Sequence, residues 1–210
     1  MSGYVVLDFE TTGFSPAKLD RVVEVGVVEV DARGAIERHW GTLINPERDM
    51  GATHVHGITA ADVFAAPTFR DVAPRLLASM AGRTVVAHNA RFDMTFLTAE
   101  LARAGYPVHR EVPCLCTMEW SSRFLHGTSR KLGDCCRLAG VANECGHSAE
   151  TDALAAAGLL AHYLHAAGEP VPWHVLVTAA ESFSWPLCGD HPPEVVLVVV
   201  QLAAVRRPPA

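Results

Sequence analysis

Tyr4-Val5-Val6-Leu7-Asp8-Phe9-Glu10-Thr11-Thr12-Gly13 is the stretch on which the reading turns. A run from Tyr4 to Phe9 that is apolar apart from one acid suits a central strand, buried on both faces. Side chains two apart on a strand share a face, so Asp8 and Glu10 project together. Central strands seldom carry two carboxylates on a buried face without a charge partner. The pair therefore predicts a cation site at the end of the first strand, rather than a solvated edge.

Working outward, Arg21 to Asp31 is rich in valine and reads as a second strand. Asp31-Ala32-Arg33-Gly34 is a turn, and Ala35 to Ile44 returns as a third strand, completing an antiparallel meander. Asn45-Pro46 ends it. A loop through Val55-His56-Gly57-Ile58 then leads to a short helix near Ala60 to Phe64. Phe69, Val72, Ala73, Leu76, Leu77 and Met80 recur at helical spacing, with Gly82 as the stop. Thr84 to Ala87 is a buried strand. Asn89 is placed to cap the next helix, whose inner face carries Phe92, Phe96, Leu97 and Leu101. Pro113 to Cys116 predicts another strand, followed by helices over Thr117 to Phe124 and Lys131 to Ala139. Ser148 caps an alanine-rich helix reaching about Ala166. The expected fold is α/β, with three antiparallel strands followed by parallel strands in one mixed sheet flanked by helices. Residues 1–167 form this domain. Residues 168–210 are an extension packed on it, with a helix over Trp173 to Ser182, an edge strand or buried segment over Val195 to Leu202, and a frayed Arg206-Arg207 tail.

Half of the 210 residues are apolar, which excludes a disordered chain. The longest uninterrupted apolar run, Val195 to Val200, is too short to span a bilayer, and the N-terminus has no basic leader; a cytoplasmic protein is expected. Net charge is −6, which argues against a tight, non-specific duplex binder. The charge is uneven, since residues 70–140 carry ten Lys/Arg against six Asp/Glu. Six cysteines include the adjacent Cys135 and Cys136, with Cys145 and His147 beyond them, but no C-x-x-C pair exists. Reduced, mostly buried thiols are the expectation.

Two further segments carry acids where helices begin. Asn89-Ala90-Arg91-Phe92-Asp93 places Asp93 in a first helical turn, and His147-Ser148-Ala149-Glu150-Thr151-Asp152 places Asp152 just after the Ser148 cap. Asp8, Glu10, Asp93 and Asp152 gathered in one cleft would repel one another by several kcal/mol without cations. Carboxylates are the donors that Mg2+ or Mn2+ prefer. Two such ions about 3.5–4 Å apart can stabilise both the attacking and the leaving oxygen at phosphorus. His147, on a loop beside the fixed helix, supplies a base that works near neutral pH.

These segments, in this order, resemble the DEDDh family of 3'–5' exonucleases, and within it the proofreading type associated with bacterial replicative polymerases. The matching residues are Asp8, Glu10, Asn89, Phe92, Asp93, His147, Ala149 and Asp152, with Val55-His56-Gly57-Ile58-Thr59 as a further match. The resemblance runs from about Tyr4 to Leu164. It implies a ribonuclease H-like fold, and two divalent cations, Mg2+ or Mn2+, held by Asp8, Glu10, Asp93 and Asp152. Asp8 is shared between them and His147 is the general base. It implies that Thr11, Thr12 and Gly13 sit near the terminal sugar, that Val55, His56 and Ile58 wall the terminal base, and that Asn89 and Phe92 lie near the nucleotide. The substrate would be a single-stranded or frayed 3' end, DNA before RNA, with a polymerase complex as a further partner. RNA trimming is the rival activity, and a non-catalytic nucleic-acid-binding module the rival class.

Overall fold

The computed structural model describes residues 3–143 and 148–186. Its centre is a five-stranded sheet of order β3-β2-β1-β4-β5. The strands are β1 (Tyr4–Thr11), β2 (Val22–Val30), β3 (Ile36–Leu43), β4 (Thr84–Ala87) and β5 (Cys114–Cys116). β1, β2 and β3 pair antiparallel, and β4 and β5 add in parallel on the other side of β1. This is the expected ribonuclease H-like mixed sheet. Every residue of β2 is buried, which accounts for its near-continuous valine run.

Between β3 and β4 lie α1 (Thr53–His56), α2 (Ala60–Val63) and α3 (Phe69–Met80). α4 (Ala90–Ala104) joins β4 to β5, and then come α5 (Thr117–Phe124), α6 (Leu132–Ala139), α7 (Ala149–Ala167) and α8 (His174–Glu181). The sheet separates two apolar layers. Val5, Leu7 and Phe9 of β1 pack with Phe69, Leu76, Phe96 and Leu101 of α3 and α4. Tyr4 and Val6 face the other way, towards Ala153, Ala156, Leu160 and Tyr163 of α7. The alternation along β1 puts Asp8 and Glu10 on the α7 side of the sheet. Trp173, just before α8, is buried and donates its indole N–H to the Tyr4 hydroxyl at 3.0 Å.

Two local expectations need correction. The segment through Val55 is a helical turn, α1, rather than a loop; Gly57 closes it at a φ of 74° that favours glycine. Asn89 stands at the N-cap position of α4, but it is left-handed (φ 68°) and its side chain caps nothing. It is there because asparagine tolerates that conformation at the strand-to-helix corner. Phe92 lies on the inner face as expected, partly buried, with its ring centroid 5.0 Å from that of Phe96. Val195–Leu202 and the arginine tail lie outside the described residues, as do Cys145 and Cys188.

Candidate active site

The positions of the acids follow from one row across the sheet. Asp8 of β1 stands opposite Gly26 of β2, and Gly26 stands opposite Gly41 of β3. A Cβ on Gly26 would lie 2.1 Å from the Ala149 carbonyl oxygen, and one on Gly41 would lie 2.9 Å from Glu150 Cβ. The two glycines therefore form a trough, and the first turn of α7 lies in it against the sheet backbone. Two side chains fasten it there. Glu24 Oε2 accepts the Ala149 amide at 3.1 Å, and His39 Nδ1 lies 2.7 Å from Glu150 Oε1. Ser148 caps the helix as expected, accepting the Thr151 amide at 3.2 Å. Asp152, one turn into a helix seated this way, is brought over Asp8 and Glu10.

The result is a cluster in which one carboxylate oxygen each of Asp8, Glu10 and Asp152 lies within 4.8 Å of the others. Asp93 approaches from α4 and is 2% exposed. Its carboxylate is held partly by its own amide and that of Phe9. The electrostatics are those of unbalanced negative charge. Burial, then Asp93, Asp152, Glu10 and Glu24 in turn, push the Asp8 carboxyl well above the usual range. Glu10 is pushed up to about 7 by burial, by Glu24 and by Asp152. Asp93 also rises through burial. Asp8, Glu10 and Glu24 form no ion pair with lysine or arginine among the described residues. Hard oxygen donors without a compensating cation are the donor set that fits Mg2+ or Mn2+.

Glu24 was not among the residues singled out from the sequence. It stands opposite Glu10 across the β1–β2 ladder, and burial pushes it up to about 7 against the pull of the Ala149 amide. The available signal was a glutamate inside the valine run of β2, at a position that strand burial should have made apolar.

The remaining sequence candidates are unevenly placed. Thr11 and Thr12 are buried and their hydroxyls serve the loop. Thr11 Oγ1 donates to the Gly13 carbonyl at 2.6 Å, while Thr12 Oγ1 accepts the Arg21 amide at 3.0 Å. Gly13 lies against the Asp20 carboxylate, 2.5 Å from where a Cβ would stand. Phe14 beyond it is fully out in solvent. Of the three residues expected to wall the terminal base, Val55 is exposed, Ile58 is buried against Val23 and Val63, and His56 is buried beneath α1. The His56 ring accepts the Ile58 amide through Nδ1 at 3.0 Å. Burial draws it below its ordinary value, opposed by the Gly51 and Thr11 backbone. Its Nε2 is buried and has no hydrogen-bond partner among the described residues. His147 lies outside the described residues. The described cysteines are free, with Cys116, Cys135 and Cys136 buried as small core side chains.

Residues 5–160 match the exonuclease family designated RNase_T. The chain belongs to that family. Over 100 residues it is 39% identical to the DNA polymerase III subunit epsilon of Rickettsia prowazekii, covering 47% of this chain and 44% of that subunit. Over 167 residues it is 35% identical to a putative bifunctional exonuclease/endonuclease protein of Mycobacterium tuberculosis, covering 75% of this chain and 26% of that one. The chain thus spans less than half the length of these curated relatives. Among solved structures, exonuclease X in complex with 5' overhanging duplex DNA is 25% identical, with a TM-score of 0.65 over 83% of this chain and 99% of that one. Exonuclease I shares the fold, with a TM-score of 0.70 at 18% identity over 85% of this chain and 44% of that one. No described helix is long and apolar enough to cross a membrane.

Proposed function

We propose that this chain is a cation-dependent 3'–5' exonuclease that removes nucleoside 5'-monophosphates from single-stranded or frayed DNA 3' ends. The observation that carries the reading is the convergence of Asp8, Glu10 and Asp152 oxygens within 4.8 Å, with Asp93 alongside and, among the described residues, no lysine or arginine paired with Asp8 or Glu10. Asp8, Glu10 and Asp152 would hold one divalent ion, and Asp8 with Asp93 a second. When bound, the two ions supply Lewis acidity to the attacking and the departing oxygens.

The chain's own residues do the rest. His147, one residue before the Ser148 cap, takes the proton of the attacking water on its imidazole. α7 is pinned in its glycine trough, so Asp152 keeps its place. Phe14, next to Gly13, and Val55 are exposed and would be available to a terminal nucleotide. They offer apolar contact with no base-edge readout, which suits trimming without sequence preference. The polymerase III subunits among the relatives support DNA as substrate and a place beside a DNA polymerase for this chain.

Matched 5'-labelled DNA and RNA oligonucleotides, single-stranded, recessed and 3'-mismatched, test this directly. Stepwise shortening from the 3' end with Mg2+ or Mn2+, arrested by chelator, is expected, with DNA cut faster than RNA and mismatched ends faster than paired ones. Activity surviving full chelation would overturn the cation-dependent reading, and a wide preference for RNA would replace the substrate. His147→Ala should lower kcat by about 10²–10⁴-fold with cation binding intact.

A further inference from the structure

Net charge is −6 and the catalytic edge is rich in acids, so a polyanionic strand needs a positive track to reach it. From Trp120 to Gly133 the chain carries Arg123, Arg130 and Lys131 and not one carboxylate. Residues 126–131 are all exposed. Six of the eleven other described arginines are engaged: Arg21, Arg38, Arg48, Arg83, Arg103 and Arg137 all lie in ion pairs. Arg123, Arg130 and Lys131 form no ion pair among the described residues. The nearby acid, Asp134, is taken up by the Ser129 hydroxyl and by Arg137. Nor do these charges serve the fold, because Arg130 and Lys131 immediately precede α6, where the helix dipole disfavours a cation.

The loop is fixed to the catalytic edge by one side chain. β1 and β4 run parallel with Val6 beside Val86, so His88 follows β4 two residues further on, level with Asp8. His88 Nε2 lies 2.8 Å from the Arg130 carbonyl, which can only accept, so this nitrogen carries a proton. Nδ1 lies 2.9 Å from the Thr117 hydroxyl at the start of α5. One ring nitrogen thus holds the 126–131 loop, and the other fixes the ring to the start of α5, beside the strand end that leads into Asn89 and Asp93. Arg91, exposed and two residues before Asp93, adds a further cation in the first turn of α4.

We propose that the loop 126–131, with Arg130 and Lys131 as its principal cations, binds backbone phosphates of the strand upstream of the scissile bond. This rests on the exonuclease reading above and adds a second, sequence-independent contact to the same site. His88 is the positioning residue that sets the loop's distance from the acids.

The test compares the wild type with Arg130→Gln/Lys131→Gln and, as a charge control at the far end of the sheet, Arg33→Ala. Turnover is measured on an oligothymidylate and on the p-nitrophenyl ester of thymidine 5'-monophosphate, which has no upstream phosphates. Binding of a fluorescein-labelled oligothymidylate is measured against salt in an Asp8→Asn background. The double variant should raise KM for the oligonucleotide about tenfold at moderate salt and flatten the log Kd against log salt slope by about 1.4. Ester hydrolysis and thermal stability should be unchanged, and Arg33→Ala should behave as wild type. An unchanged oligonucleotide KM and salt slope in an enzyme that cuts both substrates would overturn the loop assignment. A wild type that cuts neither would overturn the exonuclease reading itself.

Discussion

Two sets of acids, buried or half-buried, lie on opposite faces of the same sheet, and they are treated oppositely. Glu100 of α4 is wholly buried; Arg21 meets it through two nitrogens at 2.7 and 3.0 Å, Arg103 adds a contact at 3.4 Å, and the Val22 amide donates at 3.3 Å. Glu29 of β2 likewise has Arg38 at 2.7 Å, Arg83 at 3.6 Å and the Ser79 hydroxyl at 2.8 Å. Every charge there has its counter-charge, and the acids act as fasteners. On the other face, Asp8, Glu10 and Glu24 are crowded together without an arginine partner among the described residues, and their carboxyls are pushed upward by burial and by each other. A fold can keep such a cluster only at a cost in stability, and ligand binding is what recovers it.

The largest separation between the two regions should come from single charge removals. Asp8→Asn is expected to lose nearly all exonuclease turnover while the cation-free protein melts no lower than wild type, because one of several repelling charges has gone. Arg21→Ala is expected to do the reverse. It leaves the buried Glu100 with Arg103 alone and should cost about 3–5 kcal/mol in denaturant unfolding, with turnover retained wherever the protein is folded. If both substitutions damaged stability alike, the distinction between fasteners and site would collapse.

A smaller effect is expected at the trough. Gly26→Ala drives a methyl into the Ala149 carbonyl and must lift the start of α7. Overpacking of this kind costs about 1–3 kcal/mol, and turnover should fall further than stability alone explains because Asp152 moves with the helix. Comparing turnover at temperatures where both proteins are fully folded separates the two contributions.

The smallest effect is in pH. Glu10 and Glu24 stand at about 7 in the folded chain against an ordinary 4.5, so the folded state binds protons more tightly than the unfolded one. Their contribution to stability is full below 4.5 and is lost as pH rises through about 7. The melting temperature of cation-free wild type should therefore decline across that window, and Glu24→Gln should flatten the decline. The glutamine can still accept the Ala149 amide but no longer titrates.

How much of this was legible in the sequence follows the same division. Strand and helix order could be read because valine runs, helical spacing and the Ser148 cap are local signals. The acids Asp8 and Glu10 could be read because strand alternation places them without tertiary knowledge. What brings Asp152 to them could not. Gly26 and Gly41 look like weak points in two strands until a helix is seen lying across both. Glu24 is hidden inside a valine run, and its partner, the Ala149 amide, is 125 residues away. The roles expected of His56 and Ile58 met a second limit, since a motif gives order along the chain but not which side chains face solvent.

The central claim is that the cluster of Asp8, Glu10 and Asp152 is a divalent cation site, and calorimetric titration of cation-free protein with Mn2+ near pH 8 tests it most directly. Saturable binding to wild type and to Arg33→Ala, accompanied by a rise in melting temperature and abolished or severely weakened in Asp8→Asn, is the predicted result. Equal Mn2+ binding by wild type and Asp8→Asn, or no binding by either, would contradict it.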